Sequence, residues 1–253
     1  MELNTEIEVL KRFSANPNRH LISLLATYEI FGHVHLIFDW ADADLSSYWE
    51  QILCNPVPGL RTTRWVARQC LGISSGIVEI QRQLTDKNRW NEHDESDDEM
   101  KGRQGMETLF QHHGDIKPRN ILWFKNGPDP EGMGILVITN FGRAEIKWDN
   151  SRPATNPSLI FSPTYCAPER HIPGASIGRS CDIWSLGCVY LEFLTWLLGG
   201  WNLVSEFAIA RQTTEPAVLN GKLDRFFQLE VGDDDVITRA KVKSEVTQAR
   251  QPL

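Results

Sequence analysis

Residues 112–124, HHGDIKPRNILWF, combine side chains whose types and spacing could support phosphoryl transfer. That reaction needs a carboxylate to position the acceptor hydroxyl, a cation near the moving phosphate, and oxygen ligands for magnesium. Asp115, Lys117 and Asn120 supply these three groups within a six-residue stretch. The same spacing also occurs in ordinary surface loops, so the segment needs support from the rest of the chain.

The elements predicted around this segment begin with a small β layer. Residues 20–30 and 33–41 are apolar runs separated by a Phe-Gly turn, which predicts an antiparallel pair of strands. Residues 114–124 and 135–142 lie on either side of a turn rich in Gly and Pro, which predicts a second hairpin.

Helical periodicity accounts for most of the remaining chain. The opening residues TEIEVLKRFS and residues 62–83 repeat apolar side chains at helical spacing. The chain after Asp182 is also predicted to be mostly helical, and it contains the apolar run 184–201. Because Glu192 lies in the middle of that run, a helix buried in a globular core is favoured over a membrane span.

Residues 85–107, TDKNRWNEHDESDDEMKGRQGME, interrupt this periodicity. Acidic residues dominate the segment and few of its side chains are apolar, so it cannot bury enough surface to offset the entropy of ordering it. We predict an acidic, disordered insertion, with a regulatory or partner-docking role as the alternative.

Composition and charge exclude several classes of partner. The 253 residues are 41% hydrophobic and 23% charged, and the net charge is −7. Binders of nucleic acid or of anionic membranes need a basic surface, so we expect neither partner. The five cysteines are scattered without a C-x-x-C pair, and the N-terminus lacks the pattern of a secretory signal. We therefore expect a cytoplasmic or nuclear protein.

The segment HGDIKPRN resembles the catalytic loop of protein kinases, H-R-D-x-K-x-x-N. Four of its five defining positions are occupied, by His113, Asp115, Lys117 and Asn120. The fifth, an Arg in the family, is Gly114. An Arg there receives an activation-loop phosphate in many kinases, and a glycine cannot form that bidentate pair.

Three further segments follow in the order that the protein kinase family shows. NFG at 140–142 stands in place of D-F-G, SPTYCAPER at 162–170 contains A-P-E, and CDIWSLGCVYLEF at 181–193 resembles the long central helix. The combination of DIKPRN with SPTYCAPE favours the serine/threonine branch. The sequences GDIKPRNILWF and SLGCVYLEFLTWLLGG resemble a group of fungal kinase-like domains. The resemblance extends over about residues 2–230.

This resemblance implies an α+β fold of the protein kinase type. Residues 1–41 would form a partial small lobe with a helix, strands and the hinge, and residues 42–230 a mostly helical large lobe carrying the insertion at 85–107. Residues 231–253 would be an incomplete C-terminal end of the large lobe.

The catalytic roles that the resemblance implies concern five residues. Asp115 would be the base or orienting carboxylate, and Lys117 would place its charge on the transferred phosphate. Asn120 would be a magnesium ligand, and Asn140, in place of the D-F-G Asp, would face the other metal position. Ser162 would steady Asp115 and Lys117, with an ordinary turn serine before Pro as the alternative.

The implied cofactors are ATP and Mg2+, and the implied partners are ATP and a protein substrate or binding protein. Phe38 would guard the nucleotide pocket, Asp39 and Ala41 would offer backbone groups to adenine, and Leu122 would lie beneath it. Asp182 would accept backbone hydrogen bonds from the catalytic loop.

Two departures from the family pattern bear on activity. The Gly-rich phosphate loop and the strand Lys would precede the helix that begins near Leu3, so we expect Glu6 to lack its Lys partner and the gene model to be truncated. In addition, Asn140 offers a metal one neutral oxygen where Asp offers a full charge. Asn140 could instead be a structural amide that closes the loop.

A further departure concerns the end of the large lobe, which is expected to be incomplete in this chain. Glu169 of A-P-E pairs with a late basic residue in related chains, and Arg239 and Arg250 are candidates by type only. Two function classes therefore remain: an impaired serine/threonine kinase-like enzyme, and a pseudokinase or kinase-derived binding scaffold.

Overall fold

The computed structural model describes residues 10–11, 14, 18–91, 112–140, 163–214, 222–232 and 237–248. Its strands are β1 (Leu24–Ile30), β2 (His33–Phe38), β3 (Ala43–Asp44), β4 (Ile121–Phe124), β5 (Ile135–Ile138), β6 (Thr213–Thr214), β7 (Lys222–Leu223), β8 (Phe227–Val231) and β9 (Ile237–Val242). Its α-helices are α1 (Leu45–Ser47), α2 (Leu60–Asn91), α3 (Ser180–Ala210) and α4 (Ser244–Gln248). Single turns of π- or 3-10 helix occupy Tyr48–Ile52, Pro118–Asn120 and Pro168–Arg170.

Strands β1 and β2 form the antiparallel hairpin that the sequence predicts. The turn between them is Phe31-Gly32, and both residues have positive φ, 51° and 74°. Two positive φ values give a hairpin turn whose twist matches that of the flanking strands. The glycine adopts this conformation without strain, so the Phe-Gly pair marks the turn correctly.

The second predicted hairpin is also confirmed, as the β4–β5 pair of a three-stranded sheet in the order β3-β4-β5. Strand β5 is buried along its whole length. Its last residue, Ile138, exchanges backbone hydrogen bonds with the chain ahead of β1: its N–H donates to His20 O at 2.8 Å, and Ile22 N–H donates to its carbonyl at 2.9 Å. This sheet therefore anchors both the hairpin and the loop that precedes β4.

Helices α2 and α3 enclose the main core, which is rich in aromatic side chains. Trp65 lies edge-on to Phe193 with ring centroids 5.7 Å apart, and Trp196 packs against both residues. The two indoles are fully buried but keep their N–H groups bonded, to Gly134 O at 2.7 Å and to Leu53 O at 2.8 Å. A buried indole usually finds an acceptor for its ring N–H, and these two do.

Helix α3 is long and apolar enough, by length and composition, to cross a membrane, and it is the one helix in the described part of the chain that passes this test. Glu192 and Asp182 are buried on it with hydrogen-bond partners from other segments, and Trp196 and Phe193 pack into the core. These contacts agree with the prediction of a core helix.

The structure departs from two predictions of secondary structure. Helix α2 continues to Asn91, so residues 85–91 of the predicted irregular insertion are helical, while residues 92–107 lie outside the described residues. The chain from Asp182 onward was predicted to be mostly helical, which α3 confirms, but the part after α3 forms the pairs β6–β7 and β8–β9 before the short helix α4. The half-buried positions of β9 recur every third residue instead of alternating, so its sequence carries no strand periodicity that could have predicted it.

Candidate active site

The loop that carries the candidate catalytic residues is fastened to the first turn of α3. Asp182 is buried there, and its two oxygens accept the backbone N–H groups of His113 at 2.7 Å and Gly114 at 2.9 Å. This confirms the hydrogen-bonding role predicted for Asp182. Gly114 has a φ of 81°, a conformation that glycine adopts freely, so the glycine suits the loop where the family pattern has Arg.

His113 connects the same loop to the end of β5. Its Nε2 lies 3.0 Å from Thr139 O, and its Nδ1 accepts the backbone N–H of Asp115 at 3.3 Å. Burial lowers the pKa of His113, and this outweighs the nearby Asp182 carboxylate, which raises it. The neutral ring therefore donates from Nε2 and accepts at Nδ1, and it acts as a packed structural residue.

Asp115, Lys117 and Asn120 meet at one carboxylate oxygen. Oδ2 of Asp115 accepts from Lys117 Nζ at 2.8 Å and from Asn120 Nδ2 at 2.9 Å. The same Nδ2 also donates to the Asp115 backbone carbonyl at 2.7 Å, which closes the loop through the helical turn Pro118–Asn120. The structure thus brings together the three residues that the sequence singled out.

Asn140 lies directly beside this group. Its Nδ2 donates to Oδ1 of Asn120 at 3.3 Å, and the residue is exposed, with a φ of 68°. Asn is one of the few non-glycine residues that adopt this left-handed conformation readily. The contact matches the alternative role considered for Asn140, a neutral amide that closes the loop.

The arrangement does not fit a strong divalent-metal site. Oδ1 of Asn120 is the oxygen that would face a metal, and an N–H group of Asn140 already points at it. Magnesium prefers several oxygen ligands in near-octahedral geometry, usually with carboxylates among them. Across the residues that the structure describes, no group of three or more His, Cys, Asp or Glu side chains could hold a metal ion.

The residues assigned to the nucleotide pocket lie on neighbouring elements. Phe38 ends β2, and the exposed Asp39 and half-buried Ala41 follow it in the segment leading to β3. Leu122 lies on β4 opposite Asp44, and both Phe38 and Leu122 pack against the main core. Their roles toward adenine stay predictions.

The segment 163–170 lies against the catalytic loop. Tyr165, Cys166 and Arg170 from this segment line a small cavity together with Asp115 from the loop and Ser185 from α3. The cavity has a volume of about 10 Å³, roughly the space of one water molecule. Ser162 and Glu6, to which the sequence assigned roles, lie outside the described residues.

The partners of Glu169 are neutral donors. Its Oε1 accepts from Ser180 Oγ at 3.0 Å and from Cys181 Sγ at 3.2 Å, so the side chain is bonded at the start of α3. Arg239 lies on β9 opposite Glu230, and Arg250 is outside the described residues. The structure thus gives Glu169 a hydroxyl and a thiol where an arginine was considered.

Sequence reasoning missed a buried ion pair behind this segment. Glu192 Oε1 accepts from Arg211 at 2.8 Å, and Glu192 Oε2 accepts from the Tyr165 hydroxyl at 2.7 Å. A charged residue inside an apolar helical run was the available signal, and it was used only to argue against a membrane span.

Comparison with known proteins agrees with the motifs and their geometry. Residues 81–201 match the family model of the protein kinase domain. The chain has a protein kinase-like fold. The match begins within α2, so the assignment of β1 and β2 to a partial small lobe stays a prediction.

Several of the curated relatives that the chain resembles are kinases of the cyclin-dependent type. It is 30% identical over 117 residues to Cyclin-dependent kinase E-1 of Arabidopsis thaliana, covering 46% of this chain and 23% of that protein. It is 27% identical over 193 residues to Cyclin-dependent kinase-like 4 of Homo sapiens, covering 75% and 38%. It is 43% identical over 82 residues to Protein kinase MCK1 of Saccharomyces cerevisiae, covering 32% and 20%.

The kinase-like chain therefore spans less than half the length of these relatives. The findings support a serine/threonine kinase family, and a protein kinase domain generally implies use of ATP, magnesium and protein substrates.

Proposed function

We propose that this chain is a serine/threonine kinase-like protein whose transfer of phosphoryl groups to protein hydroxyls is impaired. One observation supports the impairment above all: the Asn140 amide donates to Oδ1 of Asn120, so the two residues assigned to metal bond each other. Each offers a metal at most one neutral oxygen, whereas a carboxylate at position 140 would offer a full negative charge.

The catalytic loop keeps the carboxylate and the ammonium group that phosphoryl transfer needs. Within the described part of the chain, Oδ1 of Asp115 has no hydrogen-bond donor, so it is left to accept the proton of a substrate hydroxyl. Lys117 lies 2.8 Å from Asp115 and can place its charge on the transferred group. In this proposal the two residues orient the acceptor and stabilise the developing charge.

A second candidate, a protein-binding scaffold, is favoured by two exposed aromatic side chains, one in the β1–β2 turn and one just after β2. Trp40 is 95% exposed and Phe31 is 93% exposed. Aromatic residues are enriched at the centres of protein interfaces, so each ring is a candidate contact for a partner.

The test is transfer of radiolabelled phosphate from ATP to a mixed serine/threonine protein substrate by the full chain. We compare the wild type with Asp115→Asn and Asn140→Asp, and use Glu50→Gln, an exposed carboxylate, as a matched control. We expect weak transfer that Asp115→Asn abolishes, Glu50→Gln leaves alone, and Asn140→Asp raises on the order of a hundredfold.

Two results would overturn the proposal in different ways. Strong wild-type transfer that Asn140→Asp does not increase would show that the centre is not impaired. No transfer by any variant, including Asn140→Asp, would reject the enzyme and favour the scaffold.

A further inference from the structure

Arg211 is a charged side chain held entirely inside the large lobe. It follows the last residue of α3 and is 0% exposed. Its guanidinium carbon lies 4.0 Å from the ring centres of both Phe207 and Phe226. Its Nε donates to Asp224 O at 3.2 Å. The side chain is therefore held in one position by two aromatic rings and a backbone carbonyl.

This guanidinium is one end of a chain of contacts that reaches the segment beside the catalytic loop. Arg211 donates to Oε1 of Glu192 at 2.8 Å, and the Tyr165 hydroxyl donates to Oε2 at 2.7 Å. Each carboxylate oxygen has its own partner, so Glu192 bridges the two residues. The carbonyl of Tyr165 also accepts from Ser185 Oγ at 2.8 Å, which fixes its backbone.

The position of Tyr165 matters because its segment adjoins the catalytic loop. Tyr165 and Asp115 line the same small cavity together with Asp182 at the start of α3, so a shift of the tyrosine would change how its segment packs against the catalytic loop. A buried ion pair adds little stability compared with well-packed apolar side chains of similar size, because both charges must be desolvated. Here each oxygen of Glu192 is bonded, so the two partners fix the orientation of that carboxylate.

We propose that Arg211 is a positioning residue, which through Glu192 and Tyr165 holds segment 163–170 in the geometry that binds the protein substrate. This inference rests on the proposed function, phosphoryl transfer to a protein substrate. To that function it adds a role for segment 163–170 in binding the substrate. It predicts that loss of the guanidinium weakens substrate binding more than the transfer step.

The charges around Glu192 predict how the pH dependence of activity changes when Arg211 is replaced. Burial raises the pKa of Glu192, Arg211 and the Tyr165 hydrogen bond oppose that rise, and Asp224 adds to it. Burial also raises the pKa of Tyr165 and Cys188 well above their usual range, so neither is ionised near neutral pH. Without Arg211, the pKa of Glu192 rises further, and the carboxylate is protonated at a higher pH.

The experiment uses the full chain in the Asn140→Asp background, where transfer is strong enough to measure. Arg211→Met removes the charge at similar length, Arg211→Lys restores it, and Arg64→Met on the exposed face of α2 is the matched control. We expect Arg211→Met to raise KM for the protein substrate at least about tenfold with a smaller change in kcat, since small displacements of positioning groups have large effects. The acid limb of the pH profile should move to higher pH, and Arg211→Lys should restore part of both.

The double variant Arg211→Met/Glu192→Gln separates positioning from a loss of folding. It leaves no unpaired charge at this pair, and the acid limb of its pH profile should lose the contribution of Glu192. Hydrogen exchange supplies a readout that needs no activity: in Arg211→Met, amides of 163–170 should exchange at least about tenfold faster while those of β4 and β5 stay protected.

Two outcomes overturn the inference without touching the proposed function. One is unchanged exchange in 163–170 in Arg211→Met. The other is equal loss of protection across 163–170 and the β4–β5 core with an unmoved pH profile, which would make Arg211 a general folding residue. Failure of the proposed function is recognised separately, as absence of transfer in the Asn140→Asp parent itself.

Discussion

The side-chain amide of Asn140 donates a hydrogen bond to the side-chain oxygen of Asn120 across 3.3 Å. In a site that resembles a magnesium-dependent kinase centre, two candidate metal ligands therefore bond each other. The bond satisfies both groups without a cation. A divalent ion would have to displace the N–H group and would gain only neutral oxygens in return.

Replacing Asn140 with Asp should tighten magnesium-dependent binding of ATP. The exchange removes the N–H donor and leaves a carboxylate oxygen about where the amide nitrogen lies, near Oδ1 of Asn120. Two oxygens at that separation repel each other unless a cation lies between them. Calorimetry with ATP, with and without magnesium, should show a gain of at least about tenfold that depends on the metal, from the added charge.

Asn126→Asp, in the exposed turn after β4, is the control because it adds the same charge elsewhere. It should leave magnesium-dependent ATP binding unchanged. Equal affinity of Asn140→Asp and the wild type would mean that the metal position is lost for reasons beyond this one side chain.

Gly200→Ala should destabilise the fold. Gly200 lies inside α3 with a φ of 69°, where the helix is kinked and Trp201 N–H donates to Cys54 O at 2.7 Å. An alanine Cβ would meet Cys54 O too closely and would lie 3.0 Å from Asn55 Oδ1. We expect a loss of about 1–3 kcal/mol in the free energy of unfolding, measured by denaturant titration.

Gly187→Ala on the same helix is the matched control. A Cβ at Gly187 would meet nothing within 4 Å and its conformation is ordinary, so the change should stabilise the fold by about 0.5–1 kcal/mol. If both alanine variants shift the unfolding midpoint in the same direction, the kink at Gly200 is not imposed by its backbone.

His171 should make the protein less stable as the pH falls. Burial lowers its pKa to about 4 from an ordinary value of 6.5, with Arg225 and Arg170 adding to the shift. Between these two values the unfolded chain binds a proton that the folded chain does not. The contribution is therefore fully present above pH 6.5 and is lost as the pH falls toward 4.

His171→Phe should flatten the pH dependence of the unfolding free energy between these two values, because phenylalanine does not titrate. His33→Gln, at an exposed histidine of β2, should leave that slope as it is. The slope is the readout, so any change in absolute stability from the added ring does not affect it. Identical slopes for His171→Phe and the wild type would reject the assignment.

Much of the local structure could be predicted because its causes are local. The Phe31-Gly32 turn fixed the first hairpin, and the apolar runs on either side of a Gly- and Pro-rich turn fixed the second. Asp182 was assigned to the catalytic loop from the family resemblance, and its two backbone hydrogen bonds confirm it.

The errors fall where a local pattern was ambiguous. Residues 85–91 are polar except for Trp90, yet they continue a helix that has already formed, and extension of an existing helix is far easier than its nucleation. Strands β6 to β9 are short or largely exposed, so they carry little apolar periodicity. Their partners in the sheet, rather than their own sequence, decide that they are strands.

The sequence by itself determined which chemical groups this protein can use: the carboxylate of Asp115, the ammonium of Lys117, and an amide at Asn140 where the family has a carboxylate. Only the tertiary structure decided what those groups contact. Asn140 meets Asn120 across 20 residues of chain, and Glu192 joins Arg211 and Tyr165 across 19 and 27. The physical reason is that a motif specifies side chains and local backbone, whereas contacts between distant segments depend on how a whole core packs.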